Sequence, residues 1–122
     1  MIALRDEGKI GAIGLSGVSL DGLNRAFAAG IACVQNAYSL VSRQFEDVLM
    51  FCLANKIAWV PFFPLGGVVA GWPKVIDQPK VIAIAARMNI TPLQVGLAWL
   101  LRHTPNTLLI PEQEAPNISK RI

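Results

Sequence analysis

The 122-residue chain contains one histidine, one tyrosine and two cysteines, and only 16% of its residues carry charge. Each scarcity removes a class of protein. Cys33 and Cys52 lie in apolar surroundings without CxxC spacing, so reduced structural thiols are expected rather than a disulfide framework or a zinc site, and no metal is expected. No apolar run reaches the roughly 18 residues of a membrane-spanning helix. The closest stretch, Ile57 to Trp72, is interrupted by Pro61, Pro64, Gly66, Gly67 and Gly71. The first residues lack a basic region followed by an apolar one, which argues against a secretory signal. A soluble cytoplasmic protein is the expectation.

What the chain has in quantity is apolar surface. Hydrophobic residues make up 53%, too many for a disordered chain. The formal charge is +3, yet Arg5, Lys9, Arg25, Arg43, Lys56, Lys74, Lys80, Arg87 and Arg102 stand singly and only Lys120-Arg121 form a pair. A surface that tracks phosphates needs clustered cations, so nucleic acid is not an expected partner, and neither is a membrane.

Two kinds of segment alternate. Charge-free apolar runs at Ile10–Leu15, Ile31–Gln35, Ile57–Phe63 and Thr107–Ile110 read as buried parallel strands. Between them lie helical spacings. Leu20–Ala29 places Leu23, Ala26 and Phe27 on one face, with Asp21 in the first turn and Gly30 as the C-terminal cap. Gln44–Asn55 carries the stripe Phe45, Val48, Leu49 and Cys52, with Glu46 and Asp47 suiting its N-terminal end. Pro79–Met88 follows. Thr91-Pro92 then supplies an N-cap and a first-turn proline for a second helix through Val95, Ala98, Trp99 and Leu101. A short helix after Pro116 is also expected.

Repeated strand–helix units imply a parallel sheet covered by helices. Right-handed crossovers then put every strand's C-terminal tip on one rim: Ser16-Gly17, Gln35-Asn36, Phe62 to Gly66, and Pro111-Glu112-Gln113. Such rims are where β/α proteins build their sites. Taken as ordinary residues, Gln35 and Asn36 would cap backbone groups. Strand alternation would turn only one of Phe62 and Phe63 inward. His103 would be a charge at a helix C-terminus, and Trp59, Trp72 and Trp99 would be packing residues. A complete (β/α)8 barrel takes about 250 residues, so the fold class expected is half of a TIM barrel, α/β, with four parallel strands. A small doubly wound sheet is the alternative, but neither a GxGxxG nor a GxxxxGKS/T signature is present.

Five segments carry a more specific likeness. Gly8-Lys9-Ile10-Gly11-Ala12-Ile13-Gly14-Leu15-Ser16 resembles the fifth-strand pattern GKIRxIGxSN of aldo-keto reductases. Val34-Gln35-Asn36-Ala37-Tyr38-Ser39-Leu40 resembles their VQNxYNL, and Val60-Pro61-Phe62-Phe63-Pro64-Leu65-Gly66-Gly67 their IPYSPLGGG or VPYSPLGGG. Thr91 to Leu101 resembles TPAQVALAWLL, and Leu109-Ile110-Pro111 the eighth-strand IPG. The resemblance implies that residues 1–122 are the C-terminal half (strands five to eight) of an NADP(H)-dependent oxidoreductase domain, truncated at both ends, with Met1 falling inside the preceding helix.

The same resemblance implies a nicotinamide pocket and the cofactor NADP(H). Ser16 and Gln35 match residues that hydrogen-bond the carboxamide, which needs one donor and one acceptor. Phe62 matches the aromatic that stacks on the nicotinamide ring, and Leu65 lies along the pyrophosphate path near Phe63. Gly17 stands where the family usually has Asn. Glu112-Gln113-Glu114 occupies the segment that meets the 2′-phosphate of NADP, with Gln113 the cofactor contact. A carboxylate repels a phosphate, so NAD(H) is the alternative cofactor, although Lys120 and Arg121 offer compensating charge. The family's Asp, Tyr, Lys and His, which protonate the carbonyl as it is reduced, follow earlier strands and have no counterpart in this chain. No catalytic residue is therefore assigned, and inactivity alone is expected. A small carbonyl substrate would be a partner once an N-terminal half is supplied. The alternative function is a non-catalytic half-barrel that forms homodimers through its open sheet edges.

Overall fold

The structure is a computed structural model in which residues 1–67 and 70–110 are described. A short helix α1 (Ile2–Asp6) leads to strand β1 (Ile13–Ser16), helix α2 (Leu20–Ala26), strand β2 (Ile31–Gln35), helix α3 (Glu46–Ala54), strand β3 (Ala58–Trp59), and helices α4 (Pro79–Met88) and α5 (Pro92–His103). The three strands form one parallel sheet in the order β1-β2-β3.

Local chemistry accounts for the helix ends. Ser19 caps α2 by accepting the Gly22 N–H at 3.1 Å, satisfying one of the otherwise orphaned first-turn donors. The helix stops earlier than its sequence pattern suggests, at Ala26. Phe27–Ala29 tighten into a 3-10 turn, which Gly30 closes at φ 81°, a left-handed conformation that glycine adopts without steric penalty. Helix α5 begins on a reciprocal capping box, with Thr91 Oγ1 accepting the Gln94 N–H and Gln94 Oε1 accepting the Thr91 N–H. Helix α4 has the span its sequence pattern gives, opening on Pro79 and ending on Asn89 at φ 55°.

The strands depart more from expectation. Strand β1 begins at Ile13, not Ile10, because pairing starts where β2 starts: Ile13 lies opposite Ile31, and a strand exists only where a neighbour takes its hydrogen bonds. A register shift follows, after which Gly14 lies opposite Cys33. A side chain at residue 14 would sit 2.7 Å from Cys33 Sγ, so the close approach of β1 to β2 requires glycine. The expected strand Ile57–Phe63 is regular only at Ala58–Trp59. Pro61 has no N–H to give the ladder. Isolated contacts continue nonetheless, from Val60 N–H to the Val34 carbonyl and from Phe62 N–H to the Asn36 carbonyl. Thr107–Ile110, expected as a fourth strand, contributes a single parallel bridge, Trp59 to Thr107. The helix expected after Pro116 lies outside the described residues.

The core sits on one face of this sheet. Ile13, Ile31, Val34 and Trp59 from the sheet meet Leu23 of α2, Val48, Leu49 and Cys52 of α3, and Leu100 of α5. Each such side chain is worth about 1.5–3 kcal/mol when removed from water. Gly14 and Ser16 of β1, alternating with Ile13, are exposed, as are Ala32 and Gln35 of β2, where the register shift after Ile31 lets both Ile31 and Val34 face the core. The sheet thus has one covered face and one open face. Trp59 and Trp99 pack as expected, but Trp72 is 41% exposed, its ring in an edge-to-face contact with Phe63 at 6.2 Å between centroids.

Candidate functional site

Three of the four expected strand tips lie side by side, and the fourth, Pro111-Glu112-Gln113, lies outside the described residues. Ser16 and Gln35 are register partners at the ends of β1 and β2, and both are exposed. Cross-strand partners point to the same side of a sheet at roughly 5 Å spacing, so a hydroxyl and a primary amide stand side by side. Immediately beyond, Gly17 turns left-handed at φ 62° and its N–H donates to the Gln35 carbonyl at 2.8 Å. The third tip joins through Phe62, which bridges Ala37, two positions on from Gln35 and of the same parity.

Phe62 and Phe63 do not alternate. Phe63 adopts φ 52°, a region that is costly for a bulky side chain, and this brings the two half-buried rings edge to face with centroids 5.0 Å apart. Leu65 is not brought to the rim. Its carbonyl accepts the Val75 N–H at 3.0 Å, and its Cδ2 lies 2.9 Å from where a side chain on Gly96 of α5 would start, so it packs against that helix. Gln113 lies outside the described residues, as do Glu112, Glu114, Lys120 and Arg121.

Asn36 behaves as the plain reading of a strand-end amide anticipates, and completely so. It is fully buried. Its Oδ1 accepts the Val18 N–H at 3.0 Å and its Nδ2 donates to the Val18 carbonyl at 2.8 Å.

A second polar cluster leaves no pattern in the sequence. Tyr38, 1% exposed, donates its phenolic O–H to Glu46 Oε2. The other carboxylate oxygen, Oε1, lies 2.8 Å from His103 Nε2. The His103 and Trp99 rings stack at 4.5 Å, and the Arg43 guanidinium lies 4.3 Å from the Trp99 ring centre. Burial, aided by the Glu46 carboxylate, pushes the Tyr38 phenol well above its ordinary value. For Glu46, burial acts to raise the carboxyl, but the hydrogen bonds from Tyr38 and His103 and the charges of His103 and Arg43 together hold it below its ordinary value. His103 is therefore more than a helix-end charge: it ties α5 to the start of α3. Only Glu46's place in the first turn of α3 was visible beforehand; its partners lie 8 and 57 residues away in sequence.

Two clefts among the described residues are lined by other side chains. One of about 650 Å³ opens between Leu40–Val41 and helices α4 and α5, with Val81, Val95 and Trp99 in its lining. A smaller one of about 240 Å³ runs between Val41–Gln44 and Trp72-Pro73. Neither includes Ser16, Gln35 or Phe62. Among the described residues no group of three or more His, Cys, Asp or Glu side chains could hold a metal ion. No single described helix is long and apolar enough to cross a membrane; α4 and α5 qualify by composition only as a pair bent by 98°.

A parallel sheet with helices on one face, joined by β–α units, defines a parallel β/α protein. The aldo/keto reductase family model matches residues 1–118, and the chain belongs to that family. Over 110 residues it is 41% identical to pyridoxine 4-dehydrogenase of Escherichia coli (strain K12), the match taking in 88% of this chain and 36% of that protein. The aldo/keto reductase from Klebsiella pneumoniae in complex with NADP and acetate superposes with a TM-score of 0.77 at 29% identity, over 93% of this chain and 41% of that one. The aldose reductase from Giardia lamblia gives 0.79 at 26% identity, over 93% of this chain and 39% of that one. The chain thus spans about two fifths or less of the relatives it matches.

Proposed function

We propose that residues 1–122 are the C-terminal half of a (β/α)8 aldo-keto reductase barrel, bearing the nicotinamide contacts of an NADP(H)-dependent carbonyl reductase. NAD(H) is the alternative cofactor. The observation that carries this reading is the pairing of Ser16 with Gln35 in register, both exposed, beside the Phe62 tip. A carboxamide needs a donor and an acceptor at adjacent points, and a flat ring needs an apolar plane. The residues present fit that group.

When bound, the cofactor would supply hydride to an aldehyde or ketone. The chain's part is to hold it: Ser16 and Gln35 orient the amide, and Phe62 shields one face of the ring. Phe63, edge to face with it, would border the pyrophosphate, whereas Leu65 packs against α5. Reduction also needs a proton delivered to the developing alkoxide. The only tyrosine and the only histidine are poor candidates for that task. Tyr38 is buried with its O–H committed to Glu46, and His103 is held on the same carboxylate. The acid–base groups belong to an N-terminal half, and this chain by itself binds without turning over.

Titration of NADPH fluorescence tests the reading, on the chain alone and on the chain supplemented with the N-terminal part of the E. coli relative. Saturable binding that Gln35→Leu weakens roughly tenfold, the worth of about one amide hydrogen bond, is expected; no saturation in either mixture overturns it. A second reading follows from β1, which among the described residues has a strand neighbour on one side only. An unpaired edge invites another strand, here from a second copy of the chain. Sedimentation decides: a dimer supports it, and a monomer at all concentrations rejects it.

A further inference from the structure

We infer that Asn36 is a positioning residue which sets the spacing of the three strand tips, and through them the placement of Ser16, Gln35 and Phe62. Three hydrogen bonds join this residue, itself at the tip of β2, to the other two tips. Its side-chain amide takes both the N–H and the carbonyl of Val18, at 3.0 and 2.8 Å, and Val18 lies two residues past Ser16. Its own backbone directly follows Gln35. Its carbonyl accepts the Phe62 N–H at 3.0 Å.

The chemistry explains why this residue type stands here. Val18 lies beyond the last paired residue of β1, where the ladder can no longer satisfy its two backbone groups. A primary amide presents one acceptor and one donor, as a peptide unit does, so the Asn36 side chain acts as one further rung between the tips. An aspartate keeps the acceptor and loses the donor, setting a carboxylate oxygen against the Val18 carbonyl. A leucine of similar size offers neither. The flanking bonds, Gly17 N–H to the Gln35 carbonyl at 2.8 Å and Tyr38 N–H to the Phe62 carbonyl at 3.2 Å, belong to the same rim. The hydrogen-bond partners of the Asn36 side chain and carbonyl lie in the rim and none in the bodies of the helices, so loss of the amide loosens the rim selectively. The inference rests on the cofactor reading only for what the tips hold.

Amide hydrogen exchange on the full chain tests it with no ligand present. The informative amides are Gly17 and Phe62, which donate to main-chain carbonyls that a substitution at residue 36 does not remove. In Asn36→Leu, and in Asn36→Asp should the first variant fold poorly, both should exchange roughly tenfold faster while Leu49 and Ile57 change less than about twofold. NADPH affinity should fall roughly tenfold while that for adenosine 2′,5′-bisphosphate, which lacks the nicotinamide end, is unchanged. Uniform loss of protection, or unaltered exchange at Gly17 and Phe62, overturns the inference, as does selective exchange with undiminished NADPH affinity. Selective exchange in a chain whose unmodified form binds no NADPH upholds the positioning role and rejects the cofactor reading instead.

Discussion

Replacing Glu46 by alanine should cost far more stability than replacing Tyr38 by phenylalanine, although both remove the same hydrogen bond. The reason is unequal burial. Tyr38 is 1% exposed, whereas the Glu46 side chain keeps 37% of its exposure and His103 23%. In Glu46→Ala the phenol O–H is left buried without an acceptor, at about 1–3 kcal/mol. Loss of the partly exposed His103 contact adds about 0–1 kcal/mol after allowance for solvent screening. The missing first-turn charge adds about 0.3–1 kcal/mol, giving about 1.3–5 kcal/mol in all, with the middle of the range at about 3 kcal/mol. In Tyr38→Phe the carboxylate turns to water and keeps His103, so the loss is about 1 kcal/mol. Urea unfolding of both single variants and the double variant measures the difference, and the double variant should lose less than the sum of the two. The pH dependence adds a second check. The Glu46 carboxyl is held below its ordinary value of 4.5 in the folded chain. Its contribution is therefore fully present above that value and is lost as pH falls through the lower, folded one. The gap between the original chain and Glu46→Ala should narrow on acidification through this window. Equal costs for the two variants, or a gap that widens below pH 4, would refute the reasoning.

Two further outcomes follow from packing. With Ellman's reagent at pH 8, one thiol, Cys33, should react quickly in the folded chain. Cys52 should react only on unfolding, because it is fully buried and burial, with the nearby Cys33, pushes its thiol up to about 11; two equal fast equivalents would contradict this. Gly96→Ala should destabilise by about 1 kcal/mol despite the better helix propensity of alanine, because the added carbon would lie 2.8 Å from Val75 Cγ1 and 2.9 Å from Leu65 Cδ2. Thermal unfolding reads the sign, and an increase in melting temperature would show that Leu65 yields freely.

What the sequence by itself determined is local. Ser19, Thr91 with Gln94, Pro79 and Gly30 start or stop their helices through contacts within a few residues, and such contacts survive translation into a linear pattern. The succession of strand tips was equally legible, because a right-handed crossover leaves little choice of rim. Tertiary structure decided the rest. Strand β3 is short and the Thr107 segment reduces to one bridge because pairing depends on the neighbour, not on the run itself. Leu65 packs against Gly96, and Phe63 leaves the strand alternation, because a chain past its last ladder bond follows whatever surface lies beside it. Neither the grip of Asn36 on Val18 nor the sharing of Glu46 between Tyr38 and His103 leaves a periodic trace. A buried amide or carboxylate is satisfied by whichever partner the fold delivers, and distance along the chain carries no information about which one that is.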